Sequence, residues 1–191
     1  MKRKKIDRRI IKTKKSLYEA LLILMKEKTF EEIKVSDICE RAYINRSTFY
    51  SHFDDKYTLF DCLIHDLKES LLEELIKNKH ISNSREYYIE LIKILLDHIE
   101  EKKEIYTSIM INNRNSIAMD MIYNTLNEDI TKRLDQEEKK NKKRIPSEFI
   151  AKFYLGAIIN VGMEWLKSES LYEREELLYY IEELIPENLW K

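Results

Sequence analysis

The chain reads as an all-α protein of about nine helices: a small N-terminal three-helix domain followed by a larger helical bundle. Three observations predict this. Apolar residues recur with a period near 3.6 almost everywhere, and no segment sustains the two-residue alternation of a strand. Only two Gly and two Pro occur among 191 residues, far fewer than the turns of a β architecture need. With 43% hydrophobic residues and a formal charge of −1, the chain has the composition of a folded globule and not of a disordered one.

The elements follow in order. In Ser16–Lys28, Leu17, Ala20, Leu21, Leu24 and Met25 fall on one helical stripe, which Thr29–Lys34 breaks. A short helix covers Ser36–Ala42, Tyr43-Ile44-Asn45 makes a turn, and Asn45 sits where an N-cap would start another short helix, Arg46–Phe53. Asp54 and Asp55 lead into a long helix, Lys56–Asn78, with Leu59, Phe60, Leu63, Leu67, Leu71 and Leu75 inward. After the connection His80–Ser84 come an amphipathic helix through Tyr88, Leu91, Ile92, Leu95, Leu96 and Ile99, a shorter piece at Ile105–Ile111, and Ser116–Leu134. The charged run Gln136–Arg144 reads as a loop or a frayed helix end. Pro146-Ser147 opens a helix to about Lys167, and Leu171–Ile185 is the last, stopped by Pro186. The domain boundary is expected after residue 58, giving 1–58 and 59–191.

Charge is distributed unevenly. Residues 1–60 hold fifteen Lys/Arg against nine Asp/Glu, a net of +6, and the remainder carries −7. The first fifteen residues have Lys2, Arg3, Lys4, Lys5, Arg8, Arg9, Lys12, Lys14 and Lys15 against Asp7 alone. A basic front on an acidic body suits a polyanionic partner for the front only, with a solubilising tail as the alternative. Cys39 and Cys62 are too few for a disulfide framework and suit a reducing cytosol, no apolar run approaches the ~20 residues of a membrane span, and no apolar stretch follows the basic start as in a secretory signal. A cytoplasmic location without membrane attachment is expected.

The segment Ile33–Lys56, IKVSDICERAYINRSTFYSHFDDK, carries the functional signal. Val35, Ile38, Ala42, Ile44 and Phe49 point inward from two short helices joined by a tight turn. The second helix exposes Arg46, Ser47, Thr48, Tyr50 and Ser51, small hydroxyls and a phenol in place of the Lys/Glu mixture of a solvated face. Such a face approaches base edges and phosphates closely in a major groove, which admits one α-helix. The pattern is a helix-turn-helix.

Here the chain resembles the tetracycline-repressor (TetR) family of transcription factors, over roughly Lys12–Leu59. The string from Phe49 to Lys56, FYSHFDDK, is its most specific part. The resemblance implies that Ser47, Thr48 and Tyr50 lie on the recognition helix, that Tyr50 and His52 contact phosphates, and that Lys56 contacts the DNA backbone. His52 reads equally as a cap of the turn. Three positions depart from the family pattern: Tyr43 stands at the turn residue usually Gly, Thr29 where the first helix often ends in Gly, and Lys34 where a hydroxyl often caps the second helix, so that Ser36 or backbone groups must compensate. With Asn45 and Arg46, these give a DNA-binding set of Lys34, Ser36, Asn45, Arg46, Ser47, Thr48, Tyr50, Ser51, His52 and Lys56. The segment Phe153–Leu166, FYLGAIINVGMEWL, resembles the penultimate helix of one subgroup of the family.

The body offers two further expectations. Both glycines, Gly156 and Gly162, lie in one helix, where each costs about 1 kcal/mol and so suggests close approach of another helix. Phe153, Gly156, Ala157, Val161 and Trp165 with Leu178 of the last helix are therefore the candidate homodimer interface, the alternative being an intramolecular core. Tyr88, Tyr106, Met110, Met119 and Tyr123 could line a small-molecule effector site, although Met and Tyr at helical spacing more often form plain core. Asp61, Cys62, His65 and Asp66 have helical metal-ligand spacing, but no second cluster closes a site, so no metal and no cofactor are expected. Without a phosphate-cradling Gly loop or a nucleophile elbow, enzyme activity is not expected. The function expected is a homodimeric regulator of transcription, a repressor reading a near-palindromic operator in double-stranded DNA and controlled by a small molecule. The alternatives are an activator or partner-protein-controlled regulator, and an interaction module without DNA binding.

Overall fold

The computed structural model describes residues 8–78, 81, 83–138, 145–167 and 172–186. Among them are nine α-helices and no strand: α1 (Arg8–Glu27), α2 (Val35–Arg41), α3 (Arg46–Tyr50), α4 (Lys56–Asn78), α5 (Ser84–Glu101), α6 (Lys103–Asn113), α7 (Ile117–Glu138), α8 (Ser147–Trp165) and α9 (Arg174–Leu184). The basic residues Lys2–Lys5, His80 and most of the charged run Gln136–Arg144 lie outside the described residues. The chain divides into two compact units. The first takes the chain up to Asp66 together with Ser108–Met119, and the second takes Leu67–Thr107 and everything from Asp120. The helix-turn-helix unit therefore runs past the boundary expected after residue 58 and recruits a distant segment.

In the first unit, the α1 stripe is buried as its spacing predicts, at Leu17, Ala20, Leu21, Leu24 and Met25. It packs on a core that includes Phe30, Ile33, Ile38, Phe49, Phe53, Leu59 and Phe60. Helix α1 begins eight residues earlier than expected, so the basic residues from Arg8 on form its first turns and not a loose arm. It ends without glycine, because side-chain amides from α6 take its last carbonyls: Asn113 Nδ2 donates to Met25 O at 2.9 Å and Asn112 Nδ2 to Lys26 O at 2.6 Å. The first turn of α7 is held in return, its Ile117 N–H donating to Glu31 Oε1 at 2.6 Å.

In the second unit, α5 and α9 run antiparallel. Arg85, in the first turn of α5, donates to the Glu182 and Ile185 carbonyls at the end of α9, each at 2.6 Å. Arg174, at the start of α9, pairs with Asp97 and lies 3.6 Å from Glu100 near the end of α5. One apolar cluster gathers Leu71, Leu75 and Ile94; another gathers Tyr88, Leu134, Ile150 and Ala151. Lys68 and Asp129 join α4 to α7 at 2.5 Å.

Candidate nucleic-acid interface

The turn between α2 and α3 follows from backbone bonding. The Tyr43 N–H donates to Glu40 O at 3.1 Å and the Ile44 N–H to Cys39 O at 2.9 Å, the two bonds of a Schellman motif. That motif requires a left-handed residue after the helix, and Tyr43 supplies it at φ 55°, the only non-glycine positive φ among the described residues. A left-handed residue with a β-carbon costs about 1 kcal/mol or more.

The start of α2 needs a cap that Lys34 cannot give, since an ammonium accepts no hydrogen bond. Asp37 provides it, its carboxylate accepting from the Lys34 N–H at 3.2 Å and from Lys28 Nζ at 2.6 Å. The Lys28 ammonium and the Lys34 N–H hold the Asp37 carboxyl below the usual carboxylate range. Ser36, expected to compensate at this cap, instead meets Asp37 Oδ1 at 3.3 Å.

Helix α3 is a short rod on an aromatic base. Phe49 is fully buried, stacked edge-on to Tyr50 at 5.4 Å and tilted against Phe53 at 5.8 Å. Fixing Phe49 inward turns the opposite face out: Arg46, Ser47, Tyr50 and Ser51 are exposed, and Thr48 and His52 are half-buried. Asn45 stands at the N-cap position but makes no capping bond with its side chain, which is exposed. The hydroxyl of Ser51 donates to Thr48 O at 2.7 Å and so closes the end of α3. Lys34, ahead of α2, is also exposed. Lys14 of α1, half-buried, lies 5.8 Å over the Phe53 ring and sets a cation beside the end of α3. Its i+3 relation to the buried Leu17 was the available signal for this placement, and the charge run of the N-terminus masked it.

Lys56 differs from expectation. Its ammonium donates to the carbonyls of Phe30, Glu31 and Ile33, each at 2.8 Å, and lies 4.9 Å over the Phe30 ring. All three N–H bonds are used within the chain, and burial lowers its pKa. Lys56 thus ties down the α1–α2 loop instead of standing out as a phosphate contact.

Two matches to family models decide the affiliation. Residues 17–63 match "Bacterial regulatory proteins, tetR family", and residues 86–187, over half of the chain, match "Transcriptional regulator C-terminal region", a TetR C-terminal model. The chain belongs to the TetR family. As a TetR-family protein it is a DNA-binding regulator of transcription, with the helix-turn-helix at α2–α3. A Bacillus subtilis (strain 168) protein described as the uncharacterized HTH-type transcriptional regulator YxbF is 35% identical over 75 residues, 39% of this chain and 20% of that one. The chain therefore spans about a fifth of that relative's length. The Lactococcus lactis dhaKLM operon transcriptional activator DhaS is 28% identical over 159 residues, covering 80% of this chain and 78% of DhaS. A TetR transcriptional regulator from Streptococcus agalactiae is 26% identical, with a TM-score of 0.62 and 97% of both chains covered.

The candidate sites in the body fare unequally. On α8, Phe153 is 62% exposed, Ala157 and Val161 are exposed, and a Cβ on Gly156 or Gly162 would meet nothing within 4 Å. Among the described residues, no other helix of the same chain therefore approaches these glycines closely. Leu178 is half-buried. Trp165 corrects the expectation of an interface residue: it is 3% exposed, with Lys103 Nζ 5.0 Å over its ring. It falls on the same face as the buried Leu155, opposite to Phe153.

The effector candidates divide between the two units, Met110 and Met119 in the first and Tyr88, Tyr106 and Tyr123 in the second. Tyr88 packs in the Leu134 and Ile150 cluster, the core alternative already noted for it. The Tyr106 hydroxyl meets His98 Nε2 at 2.8 Å, and burial raises its pKa to about 12. The Tyr123 hydroxyl reaches Lys152 O at 3.5 Å. Among the described residues no three His, Cys, Asp or Glu groups converge as a metal site, and no helix is long and apolar enough to cross a membrane.

Proposed function

We propose that this TetR-family regulator acts in the cytoplasm as a homodimeric repressor whose grip on an operator is loosened by a small molecule bound in the second unit. The observation that carries the reading is the outward face of α3, Arg46, Ser47, Thr48 and Tyr50, held rigid by the buried Phe49 beneath it. Each subunit lays that rod in a major groove. Two subunits read half-sites of a near-palindrome about 34 Å apart, one turn of duplex. Arg46 and Lys34 supply charge toward phosphates, Tyr50 and His52 flank the groove, and Ser47 and Thr48 face base edges.

The dimer is supported by the exposed apolar line on α8, Phe149, Phe153, Ala157 and Val161, beside the open space at Gly156. Helix α9 adds exposed Tyr179, Tyr180 and Leu184, and a two-fold copy of the pair makes an isologous four-helix interface. Tyr106 and Tyr123 remain the effector candidates. An effector that prefers one spacing of the two reading heads shifts the population toward it.

Selection of bound duplexes from a random pool tests the reading. Tyr50→Ala should weaken binding to every sequence, whereas Thr48→Ala or Ser47→Ala should change the selected consensus. Affinity that does not fall as salt rises would refute a phosphate-dominated mechanism. The similarity to DhaS, described as an activator, favours a second reading in which the same DNA contacts raise transcription. A reporter driven by the selected operator, with and without the protein, separates the two by the sign of the response.

A further inference from the structure

We propose that Tyr43, in the turn of the helix-turn-helix, is an additional DNA contact whose phenol donates a hydrogen bond to a backbone phosphate. The inference rests on the groove docking proposed for α3 and adds a residue that the family pattern fills with glycine.

Three observations carry it. Tyr43 occupies a left-handed conformation at φ 55°, in which a β-carbon is disfavoured and glycine is at ease. Inside the chain the side chain packs on no core, being 96% exposed. Its backbone nevertheless is fixed: the Schellman bonds to Glu40 and Cys39 anchor it to α2, whose Ile38 and Cys39 are buried. A bulky, amphipathic ring is thus held out from a rigid pedestal at a cost that the folded chain alone does not offset. Strain of this kind gathers at places where a chain meets a ligand.

Position names the ligand. Tyr43 leads directly into the exposed run Asn45, Arg46 and Ser47 that opens α3. A duplex that accepts α3 brings its sugar-phosphate rim alongside that run, since the first residues of a recognition helix are those nearest the bases. Tyrosine hydroxyls there bond to phosphate oxygens and fix register without reading sequence. A neutral phenol releases no counterion, so its contribution differs from that of Arg46 or Lys34 in leaving the salt dependence unchanged.

The test compares wild type, Tyr43→Phe and Tyr43→Gly on a duplex selected by the wild-type protein and on an unrelated duplex, with Tm measured for each. Tyr43→Phe keeps the ring and the backbone strain and removes the hydroxyl; it should bind both duplexes about 5- to 10-fold more weakly, with the slope of log K against log salt unchanged. Tyr43→Gly should lose at least as much affinity while its Tm rises, because the strain is gone. Wild-type affinity in both variants would overturn the inference, as would a changed base preference, which would make Tyr43 a reader of sequence. Failure of the wild type itself to bind duplex DNA would remove the docking on which the inference stands, a result separable from failure of the variants alone.

Discussion

Replacing Asn113 by Ala should destabilise the reading head more than any surface change in the unit. Asn113 is 0% exposed, and both polar atoms of its amide are hydrogen-bonded. Its Oδ1 accepts from the Phe30 N–H at 2.7 Å, and its Nδ2 donates to Met25 O at 2.9 Å and Ile109 O at 3.0 Å. Phe30 and Met25 are themselves buried, so water cannot replace the lost amide. Each backbone group left without a partner costs about 1–3 kcal/mol, and two such groups give a loss of about 2–6 kcal/mol. That is a large share of the ~5–15 kcal/mol that holds a typical domain together. Asn112→Ala is the internal control. Its amide reaches Lys26 O at 2.6 Å from a half-exposed position, where solvent can take over, and about 1 kcal/mol or less is expected. Urea denaturation of the full chain, followed by far-UV circular dichroism, gives both values from the shift in midpoint at constant slope. An Asn113→Ala loss no greater than that of Asn112→Ala would refute the reasoning.

Three further outcomes follow from the same geometry. Lys56→Met should lower stability by about 1–3 kcal/mol through the freed Phe30, Glu31 and Ile33 carbonyls while leaving the salt slope of DNA binding unchanged, whereas Arg46→Ala should reduce that slope by about one; salt titrations of binding check both. His98 is half-buried beside Tyr106, and that burial, with Lys102 adding to it, lowers its pKa against the opposing pull of Glu101 and Glu74. Its unfolded form therefore takes up a proton first, so acidification below the ordinary histidine value of about 6.5 should destabilise the fold, and His98→Gln should flatten that part of the stability–pH curve. Phe153→Lys, on the exposed face of α8, should shift sedimentation from dimer to monomer without loss of helical content, and an unchanged dimer would move the interface elsewhere.

How much of this was legible in the sequence depends on whether a residue's partner is near in the chain. The α1 stripe and the bounds of α4 were readable because period and caps are local properties. The left-handed turn at Tyr43 was readable because the Schellman geometry belongs to six consecutive residues, Cys39–Ile44, and the outward face of α3 because Phe49 orients it. Lys56 was misread because its three acceptors lie more than twenty residues upstream, and no local pattern distinguishes a lysine that binds carbonyls from one that binds phosphates. Trp165 was misread for a related reason. A helix rich in apolar residues all round does not reveal which face its own chain covers, and Lys103, the cation over the indole, comes from α6.

The polar ties converge on one stretch, residues 25–33, which joins α1 to α2 without a glycine. Asn113 and Asn112 hold its first carbonyls, Glu32 accepts from the Thr29 N–H and hydroxyl, Lys56 binds its last carbonyls, and Glu31 reaches the first turn of α7. The loop between α1 and α2 sets the direction in which α2 leaves, and α2 in turn carries the strained corner at Tyr43 and the rod of α3. The pose of the recognition helix therefore depends on a segment, 108–119, that lies more than forty residues beyond Asp66 in the chain. A fragment ending at residue 66 retains the whole apolar stripe of α1 and the full helix-turn-helix but leaves the Phe30 N–H, the Met25 carbonyl and the Lys26 carbonyl without their amides. It should melt well below the intact chain and fall short by more than Asn113→Ala does, because it also loses the amide on Lys26 and the buried Ile109 and Ala118; Asn113→Ala in the parent should account for part of the gap. A fragment as stable as the parent would show that the apolar core alone fixes the head, and the amides would then be bystanders.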